Sequence, residues 1–319
     1  MKKLTDTKIS FCPGPGAVIP EWFKNQREFF GRGDKEYDIL KTKTLKWLKK
    51  KSGQDEIIAV PGAATTAGII ALNTFIENDV IVIDTGYYSQ RWYDYLKKNK
   101  NFKNLRKISY NRFLNSRLDA TYKWVVFVYV ETASCTLYDI RKVKKKCIKI
   151  KSKLFLDATA SIGLEKNHNL ADVLFFSSCK GLFGPTGLGF IGHKKKLTLK
   201  SSTDFLLDYK THKESKYTLG YNCMASLFSI SKRHEYYLKK LKFARNYLSK
   251  FFNSDKNNPL IGCGLKYNLK NKKKIKNTIF YIPRKFPGYD VVFFLGLIKL
   301  NNSEIISVIK KRIINNFKL

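Results

Sequence analysis

Between residues 44 and 192 the chain repeats one pattern, short and almost uninterrupted apolar runs spaced by segments with helical character. Ile57-Ile58-Ala59-Val60, Val80-Ile81-Val82-Ile83, Trp124 to Val130, Leu154-Phe155-Leu156, Val173 to Phe176 and Leu188-Gly189-Phe190-Ile191-Gly192 read as buried strands. Ala67 to Glu77 and Tyr88 to Lys98 read as helices between them. A strand that is apolar at every position needs cover on both faces, which predicts an α/β class with a mostly parallel sheet between two helical layers. With 319 residues the chain exceeds the size of one core, so a second, smaller α/β unit is expected. The predicted division is a large domain over 16–235 and a small one built from 236–319 together with 1–15.

In open sheets of this kind the ligand lies beyond the carboxyl ends of the strands. The residues that follow each run are therefore the ones that can carry chemistry. After Val60 comes Pro61-Gly62-Ala63-Ala64-Thr65-Thr66, a turn of small residues entering a helix. Its free N–H groups and the Thr65 hydroxyl suit an anion such as phosphate. After Ile83 comes Asp84-Thr85-Gly86-Tyr87-Tyr88, which brings an aromatic ring to the same edge. Glu131-Thr132-Ala133-Ser134 follows Val130, Asp157 follows Leu156, and Ser177-Ser178-Cys179-Lys180 follows Phe176. Each of these has an ordinary structural reading as a helix cap, a core ring or a turn. Their convergence on one edge is what points to a site.

Lys180 stands out among them. Most of the 61 lysines and arginines are expected to be solvated. Lys180 lies instead between an apolar strand and the loop Gly181-Leu182-Phe183-Gly184-Pro185, where its amine must find a specific partner or react with a carbonyl. A lysine that holds an aldehyde, a carboxylate that keeps a ring nitrogen protonated, a stacking ring and a phosphate cradle together fit pyridoxal 5′-phosphate.

Carried by these residues, the chain resembles the class V (fold type I) pyridoxal-phosphate-dependent aminotransferases. It is most like 2-aminoethylphosphonate–pyruvate and serine or alanine–glyoxylate transaminases, with phosphoserine aminotransferases more distant. The resemblance runs from Pro13-Gly14-Pro15-Gly16 to about Thr218, roughly two thirds of the chain. Its most specific parts are Asp157-Ala158-Thr159-Ala160-Ser161-Ile162-Gly163 and the lysine loop 23 residues after Asp157. It implies that Lys180 and Asp157 are catalytic. Gly62, Ala63, Ala64 and Thr65 would bind the cofactor phosphate with help from Ser178, and Tyr88 would stack on the ring. Thr218 would reach the phosphate of a neighbouring subunit, which makes a homodimer.

Three positions depart from the resemblance. Ala133 stands where a hydroxyl is usual, leaving Thr132 or Ser134 to replace it. Cys179, before the lysine, is expected to pack as a small hydrophobe. Phe294, in Phe293-Phe294-Leu295-Gly296, stands where an arginine would fork onto a substrate carboxylate. Arg284 or Arg32 could supply that charge from other loops.

Composition excludes several other classes. No apolar run approaches the roughly 18 residues that a membrane helix needs. The N-terminus lacks the apolar stretch of a signal peptide. Six cysteines without a Cys-x-x-Cys pair, and four scattered histidines, indicate neither a disulfide framework nor a metal site, which fits a cytoplasmic protein. The net charge of +36 invites a nucleic-acid reading, but only 11 of the 61 basic residues are arginine and the lysine runs lie far apart. They read as solvated faces. The expected function is amino transfer between a small amino donor, an aminophosphonate or amino acid, and a 2-oxo acid. A class V lyase, desulfurase or decarboxylase is one alternative, and a catalytically degenerate binding protein of the same fold is the other.

Overall fold

The computed structural model describes residues 7–27, 33–98, 104–118, 122–214, 219–251, 258–265, 275–282 and 290–317. Its centre is a seven-stranded sheet in the order Glu56–Gly62, Gly187–His193, Val173–Ser177, Lys153–Asp157, Trp124–Val128, Val80–Asp84, Leu105–Ser109. Gly187–His193 runs antiparallel to both its neighbours, and the other pairings are parallel. The predicted strands and the mostly parallel sheet are present.

The apolar runs are continuous because the two faces of the sheet feed different cores. Val80, Val82, Val126, Phe155, Val173 and Phe175 join helix Ala64–Phe75, Trp92 and Leu96 on one side. Ile81, Ile83, Val125, Phe127, Leu154, Leu156, Leu174 and Phe176 face the other way, toward helices Lys35–Ser52, Ile140–Lys149 and Tyr221–Ser231. Successive side chains of a strand alternate faces, so an all-apolar strand supplies both layers.

A third core lies toward the C-terminus. Helix His234–Leu248 packs there with Ile261, Val291 to Leu295, Ile298, Ile305 and Ile309. Ile9 and Phe11 belong to the same cluster, and strand Ile9–Phe11 pairs in parallel with Thr278–Phe280. Phe294 is fully buried in this core, and its N–H donates to the Ile261 carbonyl at 2.9 Å.

The lysine runs behave as solvated faces where they are described. In helix Ile140–Lys149, Ile140, Val143 and Cys147 are buried while Arg141, Lys142, Lys145 and Lys149 are exposed. Lys195, Lys196 and Lys200 are likewise exposed on the segment after strand Gly187–His193. Among the described residues no helix is long and apolar enough to cross a membrane, and no group of three or more His, Cys, Asp or Glu could hold a metal ion. All six cysteines are free thiols.

Candidate active site

The parallel strands end on one edge in register: Val128 opposite Asp157, and Asp157 opposite Phe175. Gly62 closes its strand opposite Gly187, where the antiparallel strand begins. Chain direction thus delivers the residues after each run to one place. An open pocket lies there, lined by Ala64, Thr65, Tyr88, Thr132, Asp157 and Lys180 together with Arg91, Trp92, Thr159 and several apolar neighbours. Of the residues expected at the site, these six meet. Gly62 and Ala63 are exposed just before helix Ala64–Phe75 and do not line the pocket.

Asp157 is held from two sides. Trp92 Nε1 donates to its Oδ2 at 2.9 Å, and the Thr159 N–H donates to its Oδ1 at 2.9 Å. Burial raises its pKa against those hydrogen bonds and the attraction of Lys180. Trp92 reaches the aspartate because Gly68 leaves room: a Cβ there would lie 2.7 Å from the Trp92 ring and 3.0 Å from Phe175.

Glu131 is the second buried carboxylate. The Tyr88 and Ala133 N–H groups donate to its two oxygens, each at 2.9 Å. Burial pushes its pKa up to about 7, with Asp157 adding repulsion, while the two N–H bonds and Lys180 oppose the rise. Glu131 was not singled out in the sequence as a site residue, yet it fixes the backbone of Tyr88, whose ring lines the pocket. Between 4.5, the usual carboxyl value, and about 7 the folded chain keeps a proton that the unfolded chain has released, so stability falls as pH rises through that window. Glu131→Gln is expected to remove that part of the slope, on the order of 3 kcal/mol. Thermal unfolding of both proteins across the window checks it; identical slopes would count against the assignment.

Lys180 is partly buried and makes no ion pair or side-chain hydrogen bond among the described residues, while Asp157 and Glu131 are each held by two other donors. Burial lowers its pKa, and Arg91 adds repulsion against the pull of Cys179, Asp157 and Glu131. Its loop is clamped from beneath. His234 Nε2 is 2.8 Å from the Gly181 carbonyl, and the Gly16 N–H donates to the Cys179 carbonyl at 3.3 Å. A Cβ on Gly181 would lie 2.1 Å from the Ile162 carbonyl oxygen. Gly181→Ala is therefore expected to cost about 2–3 kcal/mol of stability. A lowered unfolding midpoint checks this, and an unchanged midpoint would contradict it.

Two expected residues are placed differently. The Ser178 hydroxyl is buried and donates to the Pro185 carbonyl at 2.5 Å, which turns it away from the pocket lining. The Ser134 hydroxyl is 2.9 Å from that of Thr136 and does not line the pocket either. Thr132 takes the inward position between them. Its hydroxyl is buried and has no hydrogen-bond partner among the described residues, and Thr132 lines the same pocket as Lys180. Ala133 is fully buried, and of the two hydroxyls expected in its stead Thr132 lines the pocket while Ser134 does not. Cys179 is half-buried with its Sγ 3.6 Å from Ser177 Oγ, a polar contact where simple apolar packing was expected. Phe294 is enclosed in the C-terminal core and does not reach the pocket. Thr218, Arg32 and Arg284 lie outside the described residues.

The aminotransferase class-V family matches residues 29–243, about two thirds of the chain. The chain belongs to this family. As a class V member it is a pyridoxal-phosphate-dependent aminotransferase. The fold agrees with solved structures of related enzymes at low sequence identity. An aspartate aminotransferase of subgroup IV from Thermus thermophilus superposes with a TM-score of 0.83 at 16% identity, covering 98% of this chain and 99% of that one. Pyridoxamine–pyruvate aminotransferase from Mesorhizobium loti gives 0.83 at 15%, covering 96% and 91%. Alanine–glyoxylate aminotransferase from Nostoc sp. gives 0.79 at 15%, covering 98% and 94%. No curated protein matches the chain by sequence. The class V resemblance carried by Asp157 and the lysine loop falls within the matched residues 29–243.

Proposed function

We propose that this pocket holds pyridoxal 5′-phosphate and that Lys180 uses it to move an amino group between a small amino donor and a 2-oxo acid. The observation that carries the reading is Lys180 itself, an unpaired and partly buried amine opening onto the pocket that contains the fixed carboxylate of Asp157. The unpartnered Thr132 hydroxyl adds a polar group waiting for a ligand. These groups fit the cofactor.

When bound, the cofactor supplies an aldehyde and a ring that withdraws electrons from the substrate's α carbon. The chain's own groups do the rest. Lys180 Nζ would hold the aldehyde, and the same amine would serve as the base that takes and returns the substrate's α proton. Burial favours the neutral amine that both tasks need. Asp157 would hold a proton at the ring nitrogen. Tyr88 would cover one ring face, while Thr65 and the first N–H groups of helix Ala64–Phe75 would receive the phosphate. Thr132 is the hydroxyl available to the ring's polar substituent.

A substrate carboxylate must be bound by groups other than the side chain at 294, since Phe294 is apolar and buried in the C-terminal core. The reading includes the division into 16–235 and 236–319 with 1–15, supported by the separate C-terminal core that strand Ile9–Phe11 joins. It also includes a cytoplasmic homodimer. Six free thiols, and apolar Phe23 and Ile39 left exposed near helix Lys35–Ser52, support it.

Adding candidate amino donors to the cofactor-loaded protein tests the reaction. The absorption of the aldehyde form should give way to that of the pyridoxamine form, with one equivalent of 2-oxo acid released. Release of ammonia, sulfide or carbon dioxide without that change would replace amino transfer by elimination, desulfuration or decarboxylation.

A further inference from the structure

Arg91 is the pocket's second cation, and no expectation from the sequence assigned it a task. It lies one turn into helix Tyr87–Lys98, with its guanidinium carbon 5.0 Å from the centre of the Tyr88 ring and 5.7 Å from that of Tyr87. Its NH1 donates to Thr65 Oγ1 at 3.3 Å. Among the described residues no carboxylate pairs with it. Asp157 is engaged by Trp92 and Thr159, and Glu131 by Tyr88 and Ala133. On its own helix Asp94 accepts from Gln90, and at the strand end Asp84 pairs with Lys107. A guanidinium has five N–H donors in a rigid fork, and here the rings and Thr65 fix its plane while most of the fork is unused.

We propose that Arg91 binds the phosphate of the cofactor, so that the anion is held between the start of helix Ala64–Phe75 and a guanidinium delivered by the next helix. The proposal rests on the pyridoxal-phosphate reading above. Two features support an anion here. Arg91 already touches Thr65, in the first turn of a 12-residue helix whose N-cap, Ala63, has no side chain to satisfy the free N–H groups. Thr132 lines the same pocket, and its buried hydroxyl has no hydrogen-bond partner among the described residues, which marks the space as built for a polar ligand. Ser178 was expected to assist the phosphate but spends its hydroxyl on Pro185, and Arg91 supplies the missing contact. Because the Arg91 plane is set by Tyr87 and Tyr88, the ring-stacking residue and the phosphate-binding residue are two parts of one helical turn.

Equilibrium uptake of pyridoxal 5′-phosphate and of pyridoxal, which has the same ring and aldehyde without the phosphate, tests this. Arg91→Gln is expected to weaken pyridoxal-phosphate binding about 10- to 100-fold and to leave pyridoxal binding within about 3-fold of wild type. Arg91→Lys, which keeps the charge but loses the fork, should show a smaller loss confined to the phosphate ester. It decides the matter if the glutamine variant does not fold. Inorganic phosphate should raise the unfolding temperature of the cofactor-free wild type more than chloride at equal ionic strength, and this difference should shrink in Arg91→Lys. Equal weakening toward both aldehydes would reduce Arg91 to a support for Tyr88 and overturn the proposal, as would unchanged pyridoxal-phosphate affinity. Failure of the wild type to take up either aldehyde would instead overturn the cofactor reading itself.

Discussion

Lys180→Ala is expected to abolish amino transfer, a loss of at least about 10⁴-fold in turnover, while the protein stays folded. The loss is large because, on the proposed reading, one amine would perform two tasks, holding the cofactor's aldehyde and moving the α proton. The fold should survive because Lys180 forms no ion pair among the described residues, so truncation strands no buried partner charge there; its removal also relieves the repulsion with Arg91 that contributes to its lowered pKa. Single-turnover spectra on the cofactor-soaked variant, with its unfolding midpoint measured in parallel, check both halves. Substantial residual transfer would place the base elsewhere, and a collapse of stability would make Lys180 a structural residue.

Asp157→Asn has the second largest expected effect, a fall of about 10²- to 10³-fold in turnover with cofactor uptake retained. On the proposed reading the carboxylate would hold a proton at the ring nitrogen, and an amide carries no charge to hold it. Thr159 can still donate to the asparagine carbonyl, but Trp92 Nε1 must then face the amide N–H₂, so one of the two fixing bonds is lost. Burial already raises the Asp157 pKa, so loss of the charge offsets part of the cost of the stranded Trp92 N–H, and stability at neutral pH should fall by no more than about 1–3 kcal/mol. A drop confined to affinity, with turnover intact, would show that Asp157 only shapes the pocket.

The site's framework was legible because its key residues break a pattern. Asp157 and Lys180 follow directly on all-apolar strands, where any polar group is conspicuous. The parallel sheet then forces their strand ends together, and no distant contact had to be guessed. Thr65 and Tyr88 were found by the same rule.

Trp92, Arg91 and Glu131 escaped it for a physical reason. Arg91 and Trp92 lie inside helix Tyr87–Lys98, where an arginine and an indole on an amphipathic helix look like ordinary surface and core. Their tasks depend on which partners the fold brings, Asp157 from one strand and Thr65 from another helix. Glu131 was read only as part of a polar strand end, and the amides that fix it come from positions 88 and 133. The direction of strand Gly187–His193 was equally hidden, since an apolar strand carries the same side chains either way. The pairing of Ile9–Phe11 with Thr278–Phe280 joins the two ends of the chain and leaves no local signal.

The most direct test of the central claim is to load the protein with pyridoxal 5′-phosphate, reduce it with borohydride, digest it and locate the modified peptide. With 50 lysines in the sequence, the position of the label is informative. Stoichiometric modification of Lys180 alone is the predicted result. Label spread over surface lysines, or confined to a lysine other than Lys180, would contradict the account.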